Sequence, residues 1–116
     1  MDSRKLLIRV DANVKIGTGH VMRCLALAQA WQDRGGDVVF AMAEASPGID
    51  ERLRQEQAQI SRLDAAPGSA DDAAQTASLA RELQADWAVV DGYHFDSAYQ
   101  RSLKGEGLKQ IGRAHV

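Results

Sequence analysis

A histidine follows two closely spaced glycines in the segment Gly17-Thr18-Gly19-His20, shortly after an apolar run at the amino terminus. Glycine permits positive φ and lets another group approach the backbone closely. A helical pattern follows, and the first N–H groups of a helix bind anions. His20 at this position can take a proton from water, because the positive end of a helix favours the neutral imidazole. The alternative is a histidine that only caps the helix or packs against a neighbour.

Three further residues near this turn carry functional groups. Arg23 lies three residues after His20 and on nearly the same helix face. It can orient the histidine or bind a substrate charge, or it can be a solvated surface arginine. Asp11 ends the first strand and can hydrogen-bond the loop backbone, with a turn-forming aspartate as the alternative. Cys24 falls on the apolar stripe of the helix and is predicted to be a packed thiol.

A second polar loop, at residues 91–96, follows the apolar run that ends at Val90. Tyr93 can present its hydroxyl to a sugar or to a water molecule. Asp91 ends a strand, where a functional role and a turn-forming role are comparable interpretations. Asp96 is predicted to cap the following helix, and His94 to be a solvated loop histidine. No pair or cluster in this loop has the spacing of metal ligands.

Strands and helices alternate along the chain. The pattern predicts strands at 5–10, 38–43, 59–63, 87–91 and from 108, with helices at 20–34, 49–57, 70–83 and 97–104. This alternation predicts an α/β fold with a parallel sheet and right-handed crossovers. Function in such sheets lies at the carboxyl ends of the strands. The two polar loops are therefore expected to meet at one edge of the sheet.

Composition excludes several classes of protein. The chain has 116 residues, 45% of them hydrophobic, and a net charge of -2 without a long basic run, which argues against nucleic acid as a partner. No stretch approaches the ~18 apolar residues of a membrane span, and no secretory signal pattern is present. One cysteine cannot form an internal disulfide, so a soluble cytoplasmic protein is expected. Met22 replaces the last glycine of a dinucleotide-binding motif, which disfavours a nicotinamide cofactor, and no P-loop is present.

Through the residues of its two polar loops, the chain resembles the amino-terminal half of the UDP-2,4-diacetamido-2,4,6-trideoxy-β-L-altropyranose hydrolases, which act in pseudaminic acid biosynthesis. Residues 8–13, 16–28 and 91–93 carry the resemblance, which extends to about residue 110. It implies that residues 1–110 form the Rossmann-like amino-terminal domain of a two-domain glycosyltransferase-B-like (MurG-like) fold. The implied reaction is release of UDP from the sugar by attack of water at the anomeric carbon, with no cofactor and no metal.

The resemblance also assigns roles to residues. The family's catalytic histidine, a general base, falls on His20, and its active-site tyrosine falls on Tyr93. The glycine turn would lie near the sugar and the diphosphate of the UDP-sugar substrate. The substrate-binding residues are then expected to be Asp11, Gly17, Thr18, Gly19, Arg23 and Asp91.

Residues 111–116 do not continue the apolar pattern of a fifth strand. Their sequence, Ile-Gly-Arg-Ala-His-Val, is what a common sequencing-library adapter gives in one reading frame, so they are interpreted as a non-native tail; a natural carboxyl terminus is the alternative. The family's carboxyl-terminal nucleotide-binding domain, and the Asp-Asp pair at the end of its fifth strand, are expected to be missing. Two other functions stay open: a glycosyltransferase domain of similar fold, in which the histidine activates a sugar hydroxyl, and a non-catalytic α/β ligand-binding module.

Overall fold

The computed structural model describes residues 4–12, 19–92, 95–104 and 109–114. Strands and helices alternate through these ranges, and each predicted element is found with bounds shifted by at most a few residues. The elements are β1 (Lys5–Val10), α1 (Gly19–Asp33), β2 (Asp37–Met42), α2 (Pro47–Gln55), β3 (Gln59–Arg62), α3 (Ala70–Leu83), β4 (Trp87–Asp91), α4 (Ser97–Lys104) and β5 (Lys109–Ala114).

The strands form one sheet in the order β3-β2-β1-β4-β5, and every neighbouring pair is parallel. The chain first builds outward from β1 through β2 to β3, and then crosses to the other side of β1 to add β4 and β5. The order of the strands therefore reverses between β1 and β4. The prediction of a Rossmann-like parallel sheet with flanking helices is confirmed.

Helices cover both faces of the sheet, which is why β1, β2 and β4 are almost continuously buried rather than alternating between buried and exposed residues. Leu6, Ile8 and Phe40 pack with buried residues of α1 and α2 on one face. On the other face, Leu7 and Val39 pack against α3, and Val90 packs against α3 and α4. Among the described residues, none of the helices has the length and apolar character needed to cross a bilayer.

The helix ends follow local sequence signals. The hydroxyl of Ser46 accepts a hydrogen bond from the amide of Ile49 at the start of α2, and Ser69 accepts one from the amide of Asp72 at the start of α3. Serine is a preferred N-cap because its oxygen satisfies a backbone donor that the helix leaves unpaired. Gly35, with φ of 85°, follows the end of α1. Each of these helices follows a strand of an all-parallel sheet, so its first turn begins at the carboxyl edge of the sheet.

The fifth strand includes residues that the sequence pattern assigned to a tail. Backbone pairing joins Trp87 to Lys109 at one end and Asp91 to Ala114 at the other, with a register shift between Ala88 and Val89. The strand thus runs through positions 111–114, although their sequence lacks the apolar run typical of such a strand. The non-native origin of residues 111–116 stays a prediction.

A charged residue interrupts the apolar sequence of β1. The side chain of Arg9 is 1% exposed. It donates to both carboxylate oxygens of Asp72, at 2.9 and 2.6 Å, and to Oδ1 of Asp11 at 2.8 Å. Its guanidinium carbon lies 4.9 Å from the centre of the Phe95 ring. A buried arginine is tolerated here because two carboxylates and an aromatic face replace its water.

Asp72 binds several further donors besides Arg9. It also accepts from the hydroxyls of Tyr99 and Thr76, at 2.7 and 3.0 Å, and from the amide of Gly68 at 2.8 Å. Burial alone would raise the pKa of Asp72, but the hydrogen bonds and charge of Arg9 outweigh burial and hold that pKa below its ordinary value. We call Arg9, Asp11, Asp72, Thr76 and Tyr99 the Arg9 cluster. It ties β1 to α3 and α4.

Candidate functional site

One described residue from each polar segment lies where the strand order reverses. His20 is the second residue of α1, and Asp91 is the last residue of β4. Their side chains are 10% and 1% exposed. In open parallel sheets, ligands bind in the crevice outside the carboxyl ends of the strands at such a reversal. The structure therefore brings these two predicted site residues to the expected location of a ligand site.

Asp91 is in direct contact with His20. The distance between Nδ1 of His20 and Oδ1 of Asp91 is 2.8 Å. The Nη2 atom of Arg23 lies 3.0 and 3.2 Å from the two carboxylate oxygens, and its Nε atom lies 3.3 Å from Oδ2. The same Nη2 atom lies 2.8 Å from Nδ1 of His20. Cys24 adds its thiol, with Sγ 3.4 Å from Oδ2.

Helix geometry explains this arrangement, which we call the Asp91 cluster. His20, Arg23 and Cys24 stand at positions i, i+3 and i+4 of α1, so their side chains share one helix face. That face meets the carboxyl end of β4, where Asp91 lies. One buried carboxylate thus receives side chains from the first two turns of a single helix.

Cys24 lies on α1 and is buried in the core between this helix and the sheet, which confirms the predicted packed thiol. Burial raises the pKa of this thiol well above its ordinary value, and the charge of Asp91 raises it further. The thiol is therefore protonated near neutral pH. It donates a weak hydrogen bond to Asp91 rather than acting as a nucleophile.

Asp11 lies at the same edge of the sheet but points its carboxylate into the protein. Its Oδ1 atom accepts from Arg9 and from the amides of Ala43 and Glu44, at 2.8 and 3.0 Å from the two amides. The amide of Ala12 donates to the carbonyl of Glu44 at 3.0 Å. Asp11 thus pins the loop after β2 to the end of β1. Its assignment as a substrate-binding residue stays a prediction.

The glycine turn is described only at its last residue. Gly19 begins α1 and is exposed, and a Cβ placed on it would meet no other atom of the described residues within 4 Å. Gly17, Thr18 and Tyr93 lie outside the described residues, as does His94. Their predicted roles stay predictions.

A cleft of about 460 Å³ opens at the carboxyl ends of β1, β2 and β3. This volume falls within the usual range of small-molecule sites. Its wall is built largely from alanine methyl groups and the start of α2, with one acidic and one basic side chain. The lining residues are Ala12, Ala43, Glu44, Ala45, Ser46, Pro47 and Arg62. Within the described part of the chain, no group of three or more His, Cys, Asp or Glu side chains is arranged to hold a metal ion.

Sequence reasoning did not identify the Arg9 cluster or the contact between Cys24 and Asp91. A signal for the first was present, because Arg9 stands inside an otherwise apolar strand and a buried guanidinium requires carboxylate partners. The sequence does not identify those partners, because tertiary folding brings Asp72 to Arg9 from 63 positions away in the chain.

Solved structures share this fold. A glycosyltransferase from Rickettsia africae ESF-5 aligns with 95% of the chain at a TM-score of 0.71 and 14% identity. MurG from Acinetobacter baumannii aligns with 94% of it at a TM-score of 0.62 and 17% identity. The chain spans 29% and 34% of the length of these two proteins. No protein-family model and no curated protein matches the sequence.

A third solved structure comes from a different class of protein. The carboxyl-terminal domain of a hydrogenase from Pyrococcus furiosus aligns with 99% of the chain at a TM-score of 0.52 and 18% identity, and 94% of that domain is covered. Likeness at these identities establishes the fold alone. The predicted fold class, a Rossmann-like parallel sheet like that of glycosyltransferase-B (MurG-like) proteins, is confirmed. Function has to be argued from the site.

Proposed function

We propose that this chain is the amino-terminal domain of a hydrolase that releases UDP from a UDP-linked 2,4-diacetamido-2,4,6-trideoxy sugar. The observation that carries the proposal is the imidazole of His20, held by Asp91 at 2.8 Å where the strand order reverses. A histidine backed by a carboxylate is a common general base. The choice of sugar rests on the sequence resemblance of the two polar loops.

The proposed reaction begins with a water molecule at the anomeric carbon. The water oxygen forms a bond to that carbon while one of its protons passes to Nε2 of His20. The bond between the anomeric carbon and the diphosphate oxygen breaks, and its electron pair leaves with UDP. The histidine then returns the proton to solvent. General-base assistance of this kind supplies about 10²–10⁴-fold in rate.

The leaving group needs stabilisation more than it needs an acid, because the diphosphate already carries negative charge. The start of α1 suits this task, since its first N–H groups and the helix dipole attract anions. Gly19 is exposed, and the described residues leave room at its Cβ position for a phosphate to approach. In the proposal, Gly17 and Thr18 continue this phosphate-binding turn, and the hydroxyl of Tyr93 orients the water.

The proposed enzyme includes a second domain that supplies most of the uridine site. The chain spans about a third of the two glycosyltransferase structures it resembles, which is consistent with one domain of a larger enzyme. The assay therefore uses the complete gene product, with the 116-residue chain in parallel.

We expect UDP to be released from the UDP-sugar without any acceptor. In water enriched in oxygen-18, mass spectrometry should find the label in the hydroxyl of the free sugar, because the bond that breaks joins carbon to oxygen. Label in UDP would instead show attack at phosphorus and would contradict the proposed mechanism. A UDP-hexose with free hydroxyls in place of the acetamido groups serves as the substrate control.

The second candidate function is sugar transfer, which is favoured by the two glycosyltransferase structures of similar fold. His20 would then remove the proton of an acceptor hydroxyl instead of a water proton. Release of UDP only after a sugar acceptor is added would support transfer and count against hydrolysis.

A further inference from the structure

The Asp91 cluster contains two residues that sequence reasoning assigned to the substrate, and the geometry assigns them a different task. We propose that Asp91 and Arg23 are positioning residues. Asp91 holds the proton on Nδ1 of His20, so that Nε2 is the basic nitrogen, and Arg23 holds Asp91. The kinetic part of this inference rests on the proposed function, whereas its structural part does not.

The tautomer follows from the atoms around Nδ1. A neutral imidazole carries one N–H, on either nitrogen. If Nδ1 carried the lone pair, it would face Oδ1 of Asp91 at 2.8 Å with no proton between them, and the two lone pairs would repel. If Nδ1 carries the proton, it donates to Oδ1, while Nη2 of Arg23 donates to the carboxylate oxygens at 3.0 and 3.2 Å. Nη2 of Arg23 also lies 2.8 Å from Nδ1, and a lone pair on Nδ1 would accept from it. The carboxylate is charged and is therefore the stronger acceptor, so we assign the guanidinium hydrogens to its two oxygens and the proton of Nδ1 to Oδ1.

Burial explains why Asp91 needs Arg23. The carboxylate of Asp91 is 1% exposed, and a buried charge without a partner is strongly destabilising. Arg23 supplies the opposite charge through two of its nitrogens, while its side chain stays 45% exposed. The thiol of Cys24 supplies a further donor to Oδ2. Both oxygens are therefore bound by side chains of α1, which fixes the carboxylate relative to the imidazole.

A spectroscopic test decides the tautomer without any substrate. Long-range nitrogen–proton correlation spectra of the chain should show His20 with a protonated Nδ1 and an unprotonated Nε2, and the His20→Gln variant assigns the signals. Asp91→Asn should move the proton to Nε2, because the new amide can donate to Nδ1. A wild-type spectrum with the proton on Nε2 would overturn the inference.

A kinetic test separates positioning from substrate binding. We expect Asp91→Asn and Arg23→Gln each to lower kcat by about 10²-fold or more, with little change in KM, and Arg23→Lys to recover part of the loss. The matched control is Asp96→Asn, because Asp96 is an exposed aspartate that follows Asp91 closely in the sequence and accepts from the amide of Tyr99. A raised KM with unchanged kcat would show that these residues bind substrate and would overturn the inference. If wild type releases no UDP, the proposed function fails, while the spectra still decide the tautomer.

Discussion

Replacing Asp72 by alanine is expected to lower the free energy of unfolding by about 3–5 kcal/mol. The substitution leaves the guanidinium of Arg9 buried with one carboxylate instead of two. It also removes the acceptor of the Tyr99 and Thr76 hydroxyls. Domains are commonly stable by only about 5–15 kcal/mol, so this single change removes a large share of the total. Urea unfolding followed by circular dichroism measures the loss.

Asp71→Ala is the matched control for this substitution. Asp71 is the neighbouring aspartate in the first turn of α3, and it is exposed. Both variants remove a negative charge from the same helix start, where such a charge contributes about 0.3–1 kcal/mol, so their difference isolates the Arg9 cluster. Equal losses in the two variants would contradict the assigned role. The triple variant Arg9→Met, Asp11→Asn, Asp72→Leu should recover much of the stability, because it also neutralises the buried partner Asp11 and leaves no unpaired buried charge.

The same cluster predicts the effect of acid. The pKa of Asp72 is lower in the folded state than its ordinary value, so its ionised form stabilises the protein. That contribution is complete above the ordinary aspartate pKa of about 3.9 and is lost as the pH falls through the lower folded-state value. Urea midpoints of wild type and Asp72→Ala should therefore converge at the acid end of a pH series. A gap that widened on acidification would contradict this assignment.

Replacing His20 by glutamine is expected to lower the turnover of UDP-sugar by about 10²–10⁴-fold, the range that a general base supplies. Glutamine keeps a polar side chain next to Asp91 but cannot take a proton from water. The histidine stands at a helix start rather than in the centre of the core, so the fold should survive the change. The measurement is kcat for UDP release by the complete gene product.

Met22→Gln is the control for this variant, because Met22 is an exposed residue in the same first turn of α1. It should keep near wild-type turnover. Added imidazole should restore part of the activity of His20→Gly, since a small base can enter the space left by the side chain. Full activity of His20→Gln would contradict the assignment of His20 as the general base.

The order of elements could be predicted because each signal is local. Serine caps, Gly35 past the first helix and apolar runs of strand length mark the elements. Alternation of strands and helices then restricts the topology to a parallel sheet with right-handed crossovers. The strand from residue 108 could be predicted as well, but its extent could not, because backbone pairing with β4 continues it through residues 111–114, which the sequence pattern assigns to a tail.

The location of the site at one edge of the sheet could be predicted from the sequence, but the contacts between its side chains could not. Topology alone brings the ends of β1 and β4 to one edge, so His20 and Asp91 were expected to be close. The direct contact between Nδ1 and the carboxylate depends on the rotation of α1 against the sheet, which tertiary packing fixes. For the same reason Arg23, which spacing placed beside His20, was expected to bind substrate, and its ion pair with Asp91 emerged only from the structure.

The central position of β1 has a consequence for the synthesis of this protein. One edge of β1 pairs with β2, and the other pairs with β4, which is made much later. Beside β4, the amide of Lys5 donates a hydrogen bond to the carboxylate of Asp86, 81 positions further along the chain. Ribosomes add about 5–20 residues per second, so this edge stays unpaired for about 4–16 s after β1 emerges. Unpaired strand edges pair readily with other chains, and pairing across long sequence separations is slow. During that time this edge of β1 is available for pairing with other chains, and only the synthesis of β4 closes it.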